Sequence, residues 1–484
     1  MSLASVRLRP PSRAAPVGWV VLCGVAAVAL GAAAAYSAPL TVAAVATLLL
    51  VAVVWWRPET VGYLVIGVTP LVAGIDRGRL IPVLRPNEAM EVLLGAVLVA
   101  RWLFTVRAGF RLPRLALNRI EVALLLMAVA SSILPMAWMV VRGQQITSDD
   151  ISYAMVLWKY FAVYVLVRLT IRTEDQVRRC LWISLGSAAV VGAVGVLQAL
   201  DLGGVRSLLL DYYTPFGYTA IIELPRGGST LSLPAATADL MVFNLALAIG
   251  IWYKTRRHAV VLVPLGLVFV FGTFAAAEFS SILGLVVGMV CVAAALRRLD
   301  LLRYAPLAIG LGLVAIWPVV ESRLSGFSSL QGLPNSWLVR WSNLRTYFWP
   351  ELLQGSNLLL GVRPAARVVV LSQGTGYVWI ESGYTWLLWG GGIPLFAAFV
   401  NLVRQAMRAN WRRCQHLARW SDVAALGVVT AVVVIVVLMV FDPHLTYRGA
   451  ADCLYWMLAV AAVGQVSKHA GTVPAERPMT GGRV

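Results

Sequence analysis

The chain has 484 residues, of which 60% are hydrophobic and 13% charged, and its mean hydropathy is +0.80. Soluble domains carry roughly 25% charged residues, so a soluble globular domain is excluded. The net charge of +18 would suit a nucleic-acid binder, but the positions of the charges argue against one. With the N-terminus assigned to the cytoplasm, Lys and Arg favour the cytoplasmic segments by roughly two to one, the positive-inside bias of a membrane protein.

Apolar stretches of about 17–25 residues, long enough to cross a bilayer as helices, recur from end to end. They are continuously apolar rather than alternating, which selects helices over barrel strands. About fourteen spans are expected, near 17–36, 38–56, 61–75, 89–105, 121–140, 152–168, 180–199, 234–253, 259–276, 280–296, 304–320, 383–402, 423–441 and 450–466. The first follows Arg7, Arg9 and Arg13 without a small-residue cleavage site and reads as an uncleaved helix. The third is short, and 259–296 reads equally as one broken unit. The expected fold is all-α: a polytopic helical bundle over 17–466, with cytoplasmic tails at 1–16 and 467–484.

Two connections are long, 201–233 and 321–382, and the alternation of spans puts both outside. Long ordered loops on such a protein are where function concentrates. The second contains "NSWLVRWSNLRTYFWPELLQGSNLLLGVRP" (335–364), an aromatic and arginine-rich passage. Its apolar residues recur at three- and four-residue spacing, placing Leu338, Trp341, Leu344 and Phe348 on one face with Arg340 and Arg345 off it. That pattern predicts an amphipathic helix lying at the membrane surface. On the cytoplasmic side, "RQAMRANWRRCQHLARW" (404–420) reads as a retention signal and a contact for anionic lipid. Cys23, Cys180, Cys291 and Cys453 fall in or at spans and Cys414 in a cytoplasmic loop, so neither a disulfide framework nor a metal spacing is present.

Three outside-facing passages stand out: "RGGSTLSLPAATADLMVFNLAL" (226–247), "LVRWSNLRTYFWPELLQGSNLLLGVRP" (338–364) and "ESGYTWLLWGGGIPLFAAFVNL" (381–402). Together they resemble the O-antigen polymerase and ligase superfamily of bacterial lipid-linked-glycan enzymes. Each is short, and it is their order, sidedness and long-loop position that carry the resemblance, which spans roughly 150–466. It implies a GT-C-type glycosyltransferase in the bacterial inner membrane, with both termini cytoplasmic. That enzyme lengthens a polysaccharide by moving a glycan from undecaprenyl pyrophosphate to a lipid-linked repeat unit. It implies no nucleotide sugar, cofactor or metal. The expected partners are the lipid-linked glycan, membrane lipids, a flippase and a chain-length regulator, with no nucleic acid.

On this reading Glu381 is the base, at the position where the family's ligases typically carry a histidine. Its plainer role is to pair with a nearby arginine. Arg340 and Arg345 act with it, because guanidinium forks suit pyrophosphate oxygens; alternatively they grip lipid headgroups. Arg226, Arg363, Arg448, Trp341 and Tyr384 are the expected substrate contacts. Against them stand a plain re-entry turn at Arg226, a turn end at Arg363, a snorkelling cap at Arg448 and an interfacial aromatic belt at Trp337, Trp341, Trp349, Trp379 and Trp386. Lys159 and Glu278, in or at spans, should face the bundle interior. Asp239 reads either as a site residue or as helix packing. His444 and Glu223 are the reserve bases. Three other readings compete: a ligase transferring glycan to lipid A core, a transporter of polysaccharide or small solutes, and a purely structural assembly partner. The transporter lacks the two similar halves such proteins commonly show.

Overall fold

The computed structural model describes residues 37–81, 84–107, 117–214, 226–315, 335–370 and 376–463, with isolated positions between them. The expected first span, both tails and Glu223 lie outside these residues, as does most of 316–334. In chain order the helices are α1 (Ala38–Trp56), α2 (Glu59–Val72), α3 (Pro86–Arg107), α4 (Arg119–Val141), α5 (Ser148–Ala154), α6 (Val156–Thr170), α7 (Glu174–Ala199) and α8 (Val205–Tyr212). Next come α9 (Pro234–Thr255), α10 (Ala259–Ala275), α11 (Phe279–Ala295) and α12 (Ala305–Ala315). The long loop holds α13 (Asn335–Asn343), α14 (Trp349–Leu352) and α15 (Asn357–Leu360). It is followed by α16 (Gly383–Cys414), α17 (Trp420–Leu438) and α18 (Ala450–Ala461).

Seven described helices are long and apolar enough to cross a membrane: α3, α4, α5 with α6, α7, α9, α16 and α17. Shorter apolar helices are Ala44–Trp56 within α1, together with α2, α10, α11 and α18. The spans expected at 259–276 and 280–296 are two separate helices, joined at Ala277 in a left-handed conformation (φ 55°). Outward faces are apolar, with Val42, Leu48, Val92, Val190 and Val260 all exposed. This inverts the soluble pattern and fits lipid-facing helices.

Local chemistry sets the helix ends. Asn118 and Glu121 form a reciprocal capping box at the start of α4, and Thr147 with Asp150 and Thr173 with Gln176 do the same at α5 and α7. Pro234 occupies the first turn of α9, where its missing N–H costs nothing. Helices α9, α17 and α18 form the centre, and every residue of α18 is buried. Small residues (Ala235, Ala236, Ala238) let α9 pack closely there, and Ser184 donates to Asn244 across the α7–α9 seam at 2.7 Å.

One departure from an all-α fold lies in the long loop. Strands β1 (Arg367–Val369) and β2 (Tyr377–Trp379) pair antiparallel, with Arg367 opposite Trp379 and Val369 opposite Tyr377. Their β-branched and aromatic residues suit a pleated ladder. Contacts gather the long loop and the 73–85, 142–147, 226–233, 276–278 and 439–449 connections at one end of the bundle. Gly74 N donates to Thr230 O (2.9 Å) and Gly227 N to Ala275 O (2.7 Å). At the opposite end Arg413 binds Asp422 and Ser421, whose hydroxyl in turn donates to Glu174 at 2.7 Å.

Candidate functional site

Arg226 opens the turn that feeds α9. Gly228 N donates to Arg226 O, Ser229 N to Gln198 Oε1, and Thr230 Oγ1 to Pro70 O, so the turn is fastened to α7, α10 and α2. A Cβ on Gly227 would lie 2.7 Å from the Gly195 carbonyl oxygen. The glycine therefore admits close approach of helix α7. The Arg226 side chain is half-buried, and burial pushes its pKa down while Glu278 opposes the shift.

The long-loop helix presents a different face from the expected one. Trp341 is 58% exposed, whereas Leu344 and Phe348 are buried and Arg340 is half-buried between Trp337 and Leu344. Residues Leu344–Phe348 form a π-helical turn, and the difference lies before it, in the regular helix, where Arg340 rather than Trp341 turns inward. The inward stripe is thus Trp337, Arg340, Leu344 and Phe348. Trp337 packs on Phe441 with ring centroids 5.2 Å apart, aiming Arg340 at the 439–449 connection.

There Arg340 meets two carboxylates. Its Nη1 lies 2.8 Å from Asp442 Oδ2, and its Nε lies 3.6 Å from Glu381 Oε1. Asn343 also hydrogen-bonds Glu381. Glu381 immediately precedes Ser382, whose hydroxyl accepts from Thr385 N as the cap of α16. Beside them Gly383 N and Tyr384 N donate to Met439 O, so a Cβ on Gly383 would collide with the Met439 sulfur. Glu278, at the cap of α11, acts electrostatically on Arg226, Arg340, Glu381, Asp442 and His444.

Burial pushes the Asp442 carboxyl up to about 7 against the opposing pull of Arg340, with Glu278 adding to the rise. Burial likewise raises Glu381, with Arg340 opposing. For Arg340 burial alone would lower the pKa, but Asp442 and Glu381 outweigh it and the net direction is up. The cluster holds more carboxylates than guanidinium groups, and a carboxyl raised toward neutrality is suited to proton transfer.

Next to Asp442 in the same connection, His444 Nδ1 lies 2.6 Å from Asp239 Oδ2 of α9, and both side chains are buried. His444 N also donates to Asp442 O at 2.8 Å, and Tyr447 packs on the imidazole. Burial would lower the histidine pKa, but Asp239 outweighs it and the net shift is upward. The buried Nε2 has no hydrogen-bond partner among the described residues. An imidazole oriented through Nδ1 by a carboxylate is the arrangement of a base and its positioning acid. Asp239 thus links α9 to the 439–449 connection through His444.

The remaining expected site residues separate. Arg345 is exposed, and neither it, Arg226 nor Arg448 forms an ion pair among the described residues. Arg363 is committed elsewhere: Nη2 and Nε bind the buried Asp150 at 2.6 and 2.9 Å. Arg367 binds Asp149 and stacks over Tyr377 and Trp379, which occupies Trp379 too. Arg448 sits beside Arg85, whose pKa falls to about 10 through burial first and the Arg448 charge second. Trp341 meets Trp349 edge-on, and Tyr384 donates to Val436 O at 2.6 Å. Lys159 faces the interior and binds Asp452 at 3.2 Å.

Asp442, Arg85 and the Asp149–Asp150 pair were missed by sequence reasoning. For Asp442 a signal existed, because it lies two residues before His444 in the connection already noted for Arg448. Among the described residues no three His, Cys, Asp or Glu side chains are grouped to hold a metal ion. No family model, curated protein or solved structure matches the chain.

Proposed function

We propose that the protein is a GT-C-type polysaccharide polymerase of about fourteen spans in a bacterial inner membrane, with both termini cytoplasmic and the site on the outer face. It resembles the O-antigen polymerase and ligase superfamily. The reading rests on one observation: Arg340 and Glu381, from two passages of that resemblance, make contact at 3.6 Å, and Arg226 from the third is electrostatically coupled to Arg340.

In the proposed step an acceptor hydroxyl oxygen attacks the anomeric carbon of the lipid-linked glycan. Its proton passes to the Glu381 carboxylate. The bond from that carbon to the pyrophosphate oxygen breaks, and the electron pair leaves on undecaprenyl pyrophosphate. Arg340, already answered by Asp442 and Glu381, orients the base more than it binds the donor. The departing phosphate charge then falls to Arg226, which is coupled to this cluster and forms no ion pair among the described residues. Arg363 leaves the substrate set and becomes a loop anchor.

The His444–Asp239 pair favours a second reading, a ligase that uses histidine as its base and transfers glycan to lipid A core. Incubating the purified protein with lipid-linked repeat units separates the readings. A ladder of products is expected. Transfer only to lipid A core would select the ligase, and no product from either acceptor would favour a transporter.

A further inference from the structure

We infer that the end of the bundle opposite Glu381 carries a binding site for the phosphodiester of an anionic membrane lipid. A cavity of about 520 Å³ opens there, lined by Arg178, Trp182, Thr255, Arg257, His258 and Trp420. Its size falls within the range of about 300–1,000 Å³ common to ligand pockets. Arg178 and Trp182 come from the first turns of α7, Arg257 and His258 from the α9–α10 turn, and Trp420 from the start of α17.

The lining contains two arginines and no carboxylate. The Arg257 guanidinium makes no hydrogen bond or ion pair among the described residues, while Arg178 has only a long, exposed contact with Asp175 at 3.7 Å. Such an exposed pair contributes little and is readily exchanged for a better anion. Lys254 binds the carbonyl oxygens of Leu417 and Ala418 and lies 5.3 Å from the Trp420 ring centre, which ties the α17 wall to α9. His258 adopts a left-handed conformation (φ 66°), uncommon for a residue with a side chain, and its ring stands edge-on to Trp182 at 5.6 Å.

A lipid is selected over a free anion by what continues from the cavity. The first turns of α10 expose Val260 (88%), Val263 (58%) and Leu267 (42%) directly after His258. That apolar face is placed for acyl chains below a headgroup held by the arginines. Trp182 and Trp420 supply the amphipathic rings that favour the headgroup level.

The test uses the full-length protein in detergent, with retained lipid read by native mass spectrometry. The probes are phosphatidylglycerol, phosphatidylcholine and inorganic phosphate. Two headgroup-level arginines are expected to give a roughly ten- to thirtyfold preference for phosphatidylglycerol. Arg178→Gln with Arg257→Gln, both exposed positions, should abolish that preference. Arg297→Gln with Arg298→Gln, exposed at the same end, should keep it. Equal retention of both lipids, or equal loss in the two double variants, would overturn the site. So would quenching of tryptophan fluorescence by inorganic phosphate that persists with phosphatidylglycerol excluded, since the ligand would then be a free anion.

Discussion

The long loop grips the bundle at two places built in opposite ways. At one, Arg363 and Asp150 meet fork to carboxylate, and Asp150 also accepts from Thr147 N, Thr147 Oγ1 and Ala365 N. Every lone pair of that buried carboxylate has a donor, and the group has nothing left to exchange. At the other, Arg340 is shared between Asp442 and Glu381, with Glu278 close enough to be felt. Here acid exceeds base, one contact is long, and two carboxyls are pushed toward their neutral forms. A saturated pair anchors, and an undersaturated cluster can trade protons. Arg363 and Arg340 look alike in the sequence and differ only in the company the fold provides.

Three changes test that contrast. The largest effect is expected from Glu381→Gln, which keeps the shape and removes the basicity. Product ladders should fall by about 10²–10⁴-fold, while donor binding persists. Normal polymer from this variant would move the base to His444. Next comes Asp150→Ala, which strands the Arg363 fork. Breaking a buried pair typically costs about 3–5 kcal/mol, and the partial exposure of Arg363 places the loss near the lower figure. The thermal transition should drop and the loop should become sensitive to protease, with turnover per folded molecule unchanged. A variant as stable as the parent would show that the clip is ornamental.

The smallest effect concerns Asp442. Its folded pKa of about 7 lies above the ordinary 3.8, so between these values the native state holds a proton that the unfolded chain has released. Stability should therefore fall as pH rises through that window and level off above it. In Asp442→Asn this decline should vanish, as read from unfolding midpoints at a series of pH values. A slope unchanged in the variant would assign the titration to another group.

The helices were legible because lipid demands long apolar runs, and Lys159 and Glu278 stood out as charges that such runs do not tolerate without a reason. The pairings were not legible. His444 and Asp239 are 205 positions apart, and Arg363 and Asp150 are 213. Nothing local to either residue names its partner. The face of the loop helix was misread for another reason. Residues three and four positions before Leu344 share its face equally in a helix, and the packing of Trp337 on Phe441 turns Arg340 rather than Trp341 inward. Trp341 was assigned the place that Arg340 occupies.

At the start of α16 the helix breaks at Gly392 (φ 63°), and the Gly361 backbone (φ 87°) is seated against Gly391 while Val362 N donates to Trp389 O. A Cβ on Gly391 would strike the Ala130 carbonyl of α4, and one on Gly361 would strike Gly391. Three strands of main chain therefore cross with no side chain between them, and two of the glycines hold angles that other residues rarely adopt. A descendant of this chain can exchange nearly all of its lipid-facing residues for other apolar ones and remain the same protein. It cannot exchange these. A lone glycine followed about thirty positions later by a glycine triplet, with Pro394 close behind, is the trace this crossing leaves in the sequence.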